Sequence, residues 1–172
     1  TVIAPTLAVM ARRGHPFRGA LYAGLMLTRE GSRVLEFNCR FGDPETQALM
    51  LAVDEDLLPL LHACASGVLG TGPIRVAPGR SVAVVLAAEN YPRTPRLGDE
   101  IHGLDAMPPG IEVFHAGTGL DGGRLVTAGG RVLTVCAQRE SVEEARAAVL
   151  GGVARIRFRG MHFRRDIAAR GG

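Results

Sequence analysis

The chain has 172 residues, 20 basic and 17 acidic, with a net charge of +3 and 47% hydrophobic residues. That composition supports one generous domain or two small ones and excludes a disordered chain. The longest stretch free of acids and arginines, Leu57 to Ile74, carries Pro59, His62, Pro73 and glycines, which is poor material for a membrane span.

Every basic residue is arginine, so a phosphate loop built on lysine is excluded. No basic stripe with interleaved aromatics marks a nucleic-acid surface. Cys39, Cys64 and Cys136 are odd in number, share no metal spacing, and read as free thiols of a cytoplasmic protein. The chain opens on Thr1 with no signal-peptide pattern after it, and we expect a piece of a longer protein.

Ile3, Leu7 and Met10 recur at helical spacing, and Gly14 ends that segment. Phe17 to Thr28 reads as a strand entering a turn at Glu30-Gly31-Ser32, and Arg33 to Asn38 as its antiparallel partner. Asp43-Pro44-Glu45 reads as a helix start with Asp43 as the cap, running to about Val53. A second helix covers Asp56 to Ser66 and stops at Gly67. Gly67, Gly70, Gly72, Pro73, Pro78 and Gly79 then mark the best domain boundary. Beyond it, Ser81 to Ala88 and Glu112 to His115 are strands. Arg124 to Thr127 is expected to pair with Arg131 to Ala137 across Ala128-Gly129-Gly130. Ser141 caps a helix from Val142 to about Arg155, with Glu143 and Glu144 in its first turn.

The informative segment is Leu35 to Gln47. Side chains alternate along a strand, so Glu36 and Asn38 share one face while Leu35 and Phe37 are expected to enter the core. A carboxylate beside an amide oxygen suits a hard cation such as magnesium, which completes its shell with phosphate and water. Arg40 adds a planar fork for a phosphate or carboxylate. An ordinary exposed strand face, followed by an ordinary helix cap, fits the same spacing. On the residues alone both readings stand.

The run Arg40-Phe41-Gly42-Asp43-Pro44-Glu45-Thr46-Gln47 resembles the signature of the phosphoribosylamine–glycine ligases, also called glycinamide ribonucleotide synthetases. Pro16-Phe17-Arg18-Gly19 and Leu21 to Met26 resemble the strand that precedes it in that family. Val85 to Pro92, Gly98 to Ile101, Phe114 to Thr118, Gly129 to Leu133 and Arg164 to Ile167 follow in the family's order. The resemblance covers nearly the whole chain. It implies α/β and α+β architecture: the C-terminal part of an ATP-grasp core over residues 1–72, then a small mixed α+β C-terminal domain over 73–172.

The activity it implies is ATP-dependent joining of glycine to 5-phosphoribosylamine through glycyl phosphate, in purine biosynthesis. Glu36 and Asn38 would hold Mg2+ or Mn2+ against ATP, and Arg40 would steady the transferring phosphoryl group. Asp43 and Glu45 would lie near glycine and the amine, with capping the preferred role for Asp43. Leu25 would form part of the floor under adenine, with core packing the alternative for Leu25 and Leu27. A lysine-bearing ATP lid is expected in an N-terminal remainder, so that the chain alone would be inactive. No nucleic-acid or membrane partner is expected. A non-catalytic assembly or regulatory remnant of a split ATP-grasp ligase is the alternative function.

Gly117-Thr118-Gly119-Leu120-Asp121-Gly122 matches a dinucleotide-binding pattern, but that pattern must open a helix and a strand follows here, so a glycine-rich hairpin loop is expected. His115, at a strand end, reads as a hydrogen-bonded structural residue. Arg155, Arg157 and Arg159 read as one solvated strand face.

Overall fold

The computed structural model describes residues 2–70 and 72–169. The fold is mixed α/β and α+β, and it divides into two compact units that the chain visits alternately. The first takes the residues up to Asp43 and Asp54–Arg75, and the second takes Pro44–Val53 and everything from Val76 onward.

In the first unit, helix α1 (Ile3–Arg12) ends on Arg12 in its last turn, a cation at the negative end of the helix dipole. Strands β1 (Tyr22–Thr28) and β2 (Gly31–Asn38) form an antiparallel hairpin. Its turn is Arg29-Glu30, one position earlier than expected. Thr28 closes it: its Oγ1 donates to Gly31 O at 2.7 Å and accepts from Glu30 N at 3.2 Å. β1 is also shorter than Phe17 to Thr28, because Gly19 takes φ +139° and bends the chain before Tyr22. Helix α3 (Leu57–Ser66) has both expected ends: Asp56 accepts from Leu58 N at 2.9 Å, and Gly67 closes it at φ +75°.

The hairpin departs from the alternation argument. Leu35 is 64% exposed and Phe37 41%, so neither enters a core. A two-stranded ribbon has two faces and no second layer, and among the described residues of this unit only Gly24 and Gly42 are buried. Nor do Leu25, at 43% exposed, and Leu27, at 79%, take up core packing.

The second unit holds the core. Strands β3 (Arg80–Ala87), β4 (Glu112–His115) and β7 (Arg131–Arg139) make an antiparallel sheet with β7 in the centre. β7 therefore reads as a near-continuous buried run, and Val132, Leu133, Val135 and Cys136 are fully enclosed. Helix α2 (Glu45–Ala52) packs against β3 and β7. Helix α4 (Val142–Val153) also packs against both and buries Ala145, Val149 and Val153. Ser141 accepts from Glu144 N at 3.2 Å while Glu144 reaches back to Ser141 N at 3.3 Å, a complete capping box.

The expected pairing of Arg124–Thr127 with β7 does not form. Strand β6 (Arg124–Thr127) pairs instead with β5 (Thr118–Asp121) through a Gly122-Gly123 turn, while β7 takes β3 and β4 as neighbours. Burial decides this. β7 gains two strands and a helix layer by leaving its sequence neighbour. The glycine-rich motif thus supplies a strand and the turn after it, and opens no helix. Gly117 is needed for another reason: a Cβ there would meet Arg131 O and Gly129 Cα, each at 2.6 Å. The Arg155–Arg159 segment is not a continuous strand either; it holds only an isolated bridge from Arg157 to His102. No described helix is long and apolar enough to cross a membrane.

Candidate functional site

Glu36 and Asn38 lie two residues apart near the end of β2, and their side chains meet: Asn38 Nδ2 donates to Glu36 Oε1 at 3.1 Å. Glu36 is exposed and Asn38 half-buried. The register explains why the carboxylate is free to sit there. Glu36 faces Gly24 across the hairpin, and the pairing slips between Gly24 and Leu25, leaving Leu35 as the extra residue of a bulge. A Cβ on Gly24 would stand 3.2 Å from Glu36 Cγ. Gly24 is the residue that sequence reasoning passed over. Its signal was present: a glycine inside a strand marks a bulge or a close approach.

Arg40 follows the strand, exposed, and its Nη1 donates to Phe41 O at 2.8 Å. Leu25 pairs with Val34, one step beyond the bulge. The cap position falls on Pro44, one residue after the expected Asp43. α2 begins at Glu45 with Pro44 in the cap position and no side-chain cap bond, since the chain turns at Asp43-Pro44 before it becomes helical. Glu45 occupies the first turn of α2, in the second unit, whereas Glu36, Asn38, Arg40 and Asp43 belong to the first.

The donor set at Glu36 suits a metal that is content with few protein ligands. Among the described residues no cluster of three or more His, Cys, Asp or Glu can cage an ion. One carboxylate and one amide on an open strand face match a cation that keeps most of its shell for water and phosphate. Asn38 would present its Oδ1 by turning the amide it now uses to bond Glu36. His115 stays outside this group: its Nδ1 lies 3.0 Å from Thr118 Oγ1, a local bond on the second unit's sheet.

A family model described as "Phosphoribosylglycinamide synthetase, C domain" matches residues 81–170, more than half of the chain. A second, described as the ATP-grasp (A) domain of the same synthetase, matches residues 1–46. The chain belongs to the phosphoribosylglycinamide synthetase family. A phosphoribosylamine–glycine ligase of Neisseria meningitidis is 47% identical over 97% of this chain and 40% of its own length. The trifunctional purine biosynthetic protein adenosine-3 of Gallus gallus is 48% identical over 99% of the chain and 17% of its own length. The crystal structure of the Thermotoga maritima phosphoribosylamine–glycine ligase superposes with a TM-score of 0.82 at 37% identity, covering 94% of this chain and 40% of that one. The chain thus spans about 40% of the length of the bacterial synthetases it resembles. In synthetase terms, Glu36, Asn38, Arg40, Asp43 and Glu45 all lie within the ATP-grasp match.

Proposed function

We propose that this chain contributes the metal-bearing edge of an ATP-dependent carbon–nitrogen ligase that joins glycine to 5-phosphoribosylamine. The observation that carries the reading is the Glu36–Asn38 pair on β2, inside the segment matched by the synthetase ATP-grasp model. The products would be glycinamide ribonucleotide, ADP and phosphate, with glycyl phosphate between. Residues 1–72 would be the end of the ATP-grasp core and 73–172 the C-terminal domain. A cytoplasmic location agrees with three free thiols.

In this reading Glu36 and Asn38 hold Mg2+ or Mn2+, which when bound neutralises phosphate charge and so eases phosphoryl transfer. Arg40 leaves its contact with Phe41 O and offers its fork to the transferring phosphoryl oxygens, where charge-assisted hydrogen bonds strengthen as charge builds. Asp43 and Glu45 supply carboxylates near the amine substrates. Leu25 is an exposed apolar surface suited to the face of adenine. The lysine contacts to ATP that the family resemblance implies would come from the part of the synthetase length that this chain does not span, which is consistent with its having arginine as its only cationic side chain besides histidine.

ADP release, measured with ATP, Mg2+, glycine and fresh phosphoribosylamine, tests the assignment. The chain alone should be inactive, and adding the remainder of the synthetase should restore turnover. In that reconstituted enzyme Glu36→Ala should abolish ligation while circular dichroism stays unchanged. Full activity of Glu36→Ala would refute the metal role, and turnover by the chain alone would refute the division of the site. A folded pair with no turnover under any condition would favour the non-catalytic alternative.

A further inference from the structure

A groove of about 470 Å3 lies in the second unit, between the end of α4 and the segment that follows it. Its floor is apolar, from Leu150, Val153, Met161 and Phe163, and its walls carry Arg146, Arg157 and Arg165. Among the described residues no acidic side chain lines it. The three arginines are held in different ways. Arg146 is fixed by donating from Nε to Ile167 O at 3.0 Å and from Nη2 to Arg165 O at 2.7 Å. Arg165 lies with its guanidinium 5.3 Å from the centroid of Phe163. Arg157 is anchored only through its backbone, which exchanges bonds with His102 at 3.0 and 3.1 Å, and its guanidinium has no acceptor among the described residues.

The end of a helix would ordinarily repel an anion, because its last carbonyls are unpaired. Here two of those carbonyls are occupied: Gly152 O accepts from Arg155 N at 3.0 Å and Val153 O from Ile156 N at 3.1 Å. Three full positive charges line the groove against the partial charge of the carbonyls that remain, so its field is positive. Its volume suits a small molecule rather than a peptide segment. The apolar floor with a Phe–Arg stack suits a planar ring, and free guanidinium forks suit phosphate.

We infer that this groove binds a small planar-ring anion with the chemistry of a nucleoside monophosphate, its ring over Phe163 and Met161 and its phosphate between Arg157 and Arg165. The site shares no residue with the β2 group and does not depend on the ligase reading.

The chain's five methionines make the test direct, because only Met161 lines the groove. The 172-residue chain, labelled with 13C at the methionine methyls, is titrated with AMP, with adenosine and with ribose 5-phosphate. AMP should shift the Met161 resonance saturably and leave Met26 and Met50 in place. Adenosine and ribose 5-phosphate should each bind at least about tenfold more weakly, since each lacks one half of the ligand. Arg157→Ala and Arg165→Ala should each weaken AMP by about tenfold, and Arg157→Lys by less. Unshifted ligand-free Met50 and Met107 resonances, neither of which lines the groove, establish that each variant is folded. No Met161 shift at about 10 mM AMP would overturn the inference. So would equal binding of either half-ligand, or arginine variants that bind AMP as the parent does.

Discussion

Gly24 lies beneath Glu36, close enough that a methyl group placed on it would stand 3.2 Å from the Glu36 Cγ. The carboxylate side chain can yield by a few tenths of an ångström, so Gly24→Ala should leave the hairpin folded and displace the carboxylate from Asn38. Small misplacements of this kind cost about tenfold to a hundredfold in rate. We expect that loss in ADP release by the reconstituted synthetase, with partial recovery at higher Mg2+. Recovery by the metal separates a moved ligand from a merely loosened fold.

Adjacent glycines on α4 should respond to alanine with opposite signs. Gly151 is exposed with open space around it, so Gly151→Ala should stabilise by about 0.5–1 kcal/mol through helix propensity. At Gly152 a Cβ would sit 2.9 Å from Ile111 Cγ2 and 3.2 Å from Val135 Cγ1, both in the core. Overpacking there costs about 1–3 kcal/mol and outweighs the same propensity gain. Urea unfolding of the two variants should bracket the parent.

Ser141→Ala removes the acceptor for Glu144 N and so breaks one half of the capping box, leaving the backbone N–H of residue 141 to the Glu144 carboxylate. The expected loss is about 1 kcal/mol, read as a lower urea midpoint with an unchanged slope. Ser141→Asp should recover most of it.

Burial, with a smaller contribution from the charge of Glu112, pushes the Cys136 thiol from 9.0 up to about 12. At pH 8 the native chain should therefore alkylate at exposed Cys39 and spare Cys136. The raised value also sets a direction for stability. Below about pH 9 the thiol is protonated in both folded and unfolded chains, and its contribution is intact; between 9 and 12 only the unfolded chain loses the proton, and stability falls. Cys136→Ala should flatten that alkaline decline in a pH series of urea midpoints.

Local chemistry was legible in the sequence wherever a few residues decide the outcome. Asp56 with Gly67, Ser141 with Glu144, and the turn within the run from Tyr22 to Asn38 each signal an element through its own caps or turn. The partners of β7 were not legible, because Ala128-Gly129-Gly130 looks like a hairpin turn and says nothing of the burial that β3, β4 and α4 offer. β5 was hidden by its glycine and its closeness to a turn. At the candidate site, Glu36, Asn38 and Arg40 stood out as residue types suited to phosphate chemistry. The bulge that lets Glu36 rest on Gly24 is a matter of register, which composition does not carry. Asp-Pro is a common helix opening, and here the turn at Asp43-Pro44 moves the first helical residue to Glu45.

The alternation of the chain between its two units has a consequence for how such a protein can be divided. The backbone crosses from one unit to the other after Asp43, after Val53 and after Arg75. A single break anywhere in Gly67–Gly79 would therefore strand α2 on the wrong side, parting it from the β3 and β7 surfaces that it covers. Neither half would be released whole. A recombination event or a protease that treats the glycine-rich stretch as a seam would leave the downstream piece with a bare sheet face, so inheritance of these two units is tied together by one eight-residue helix.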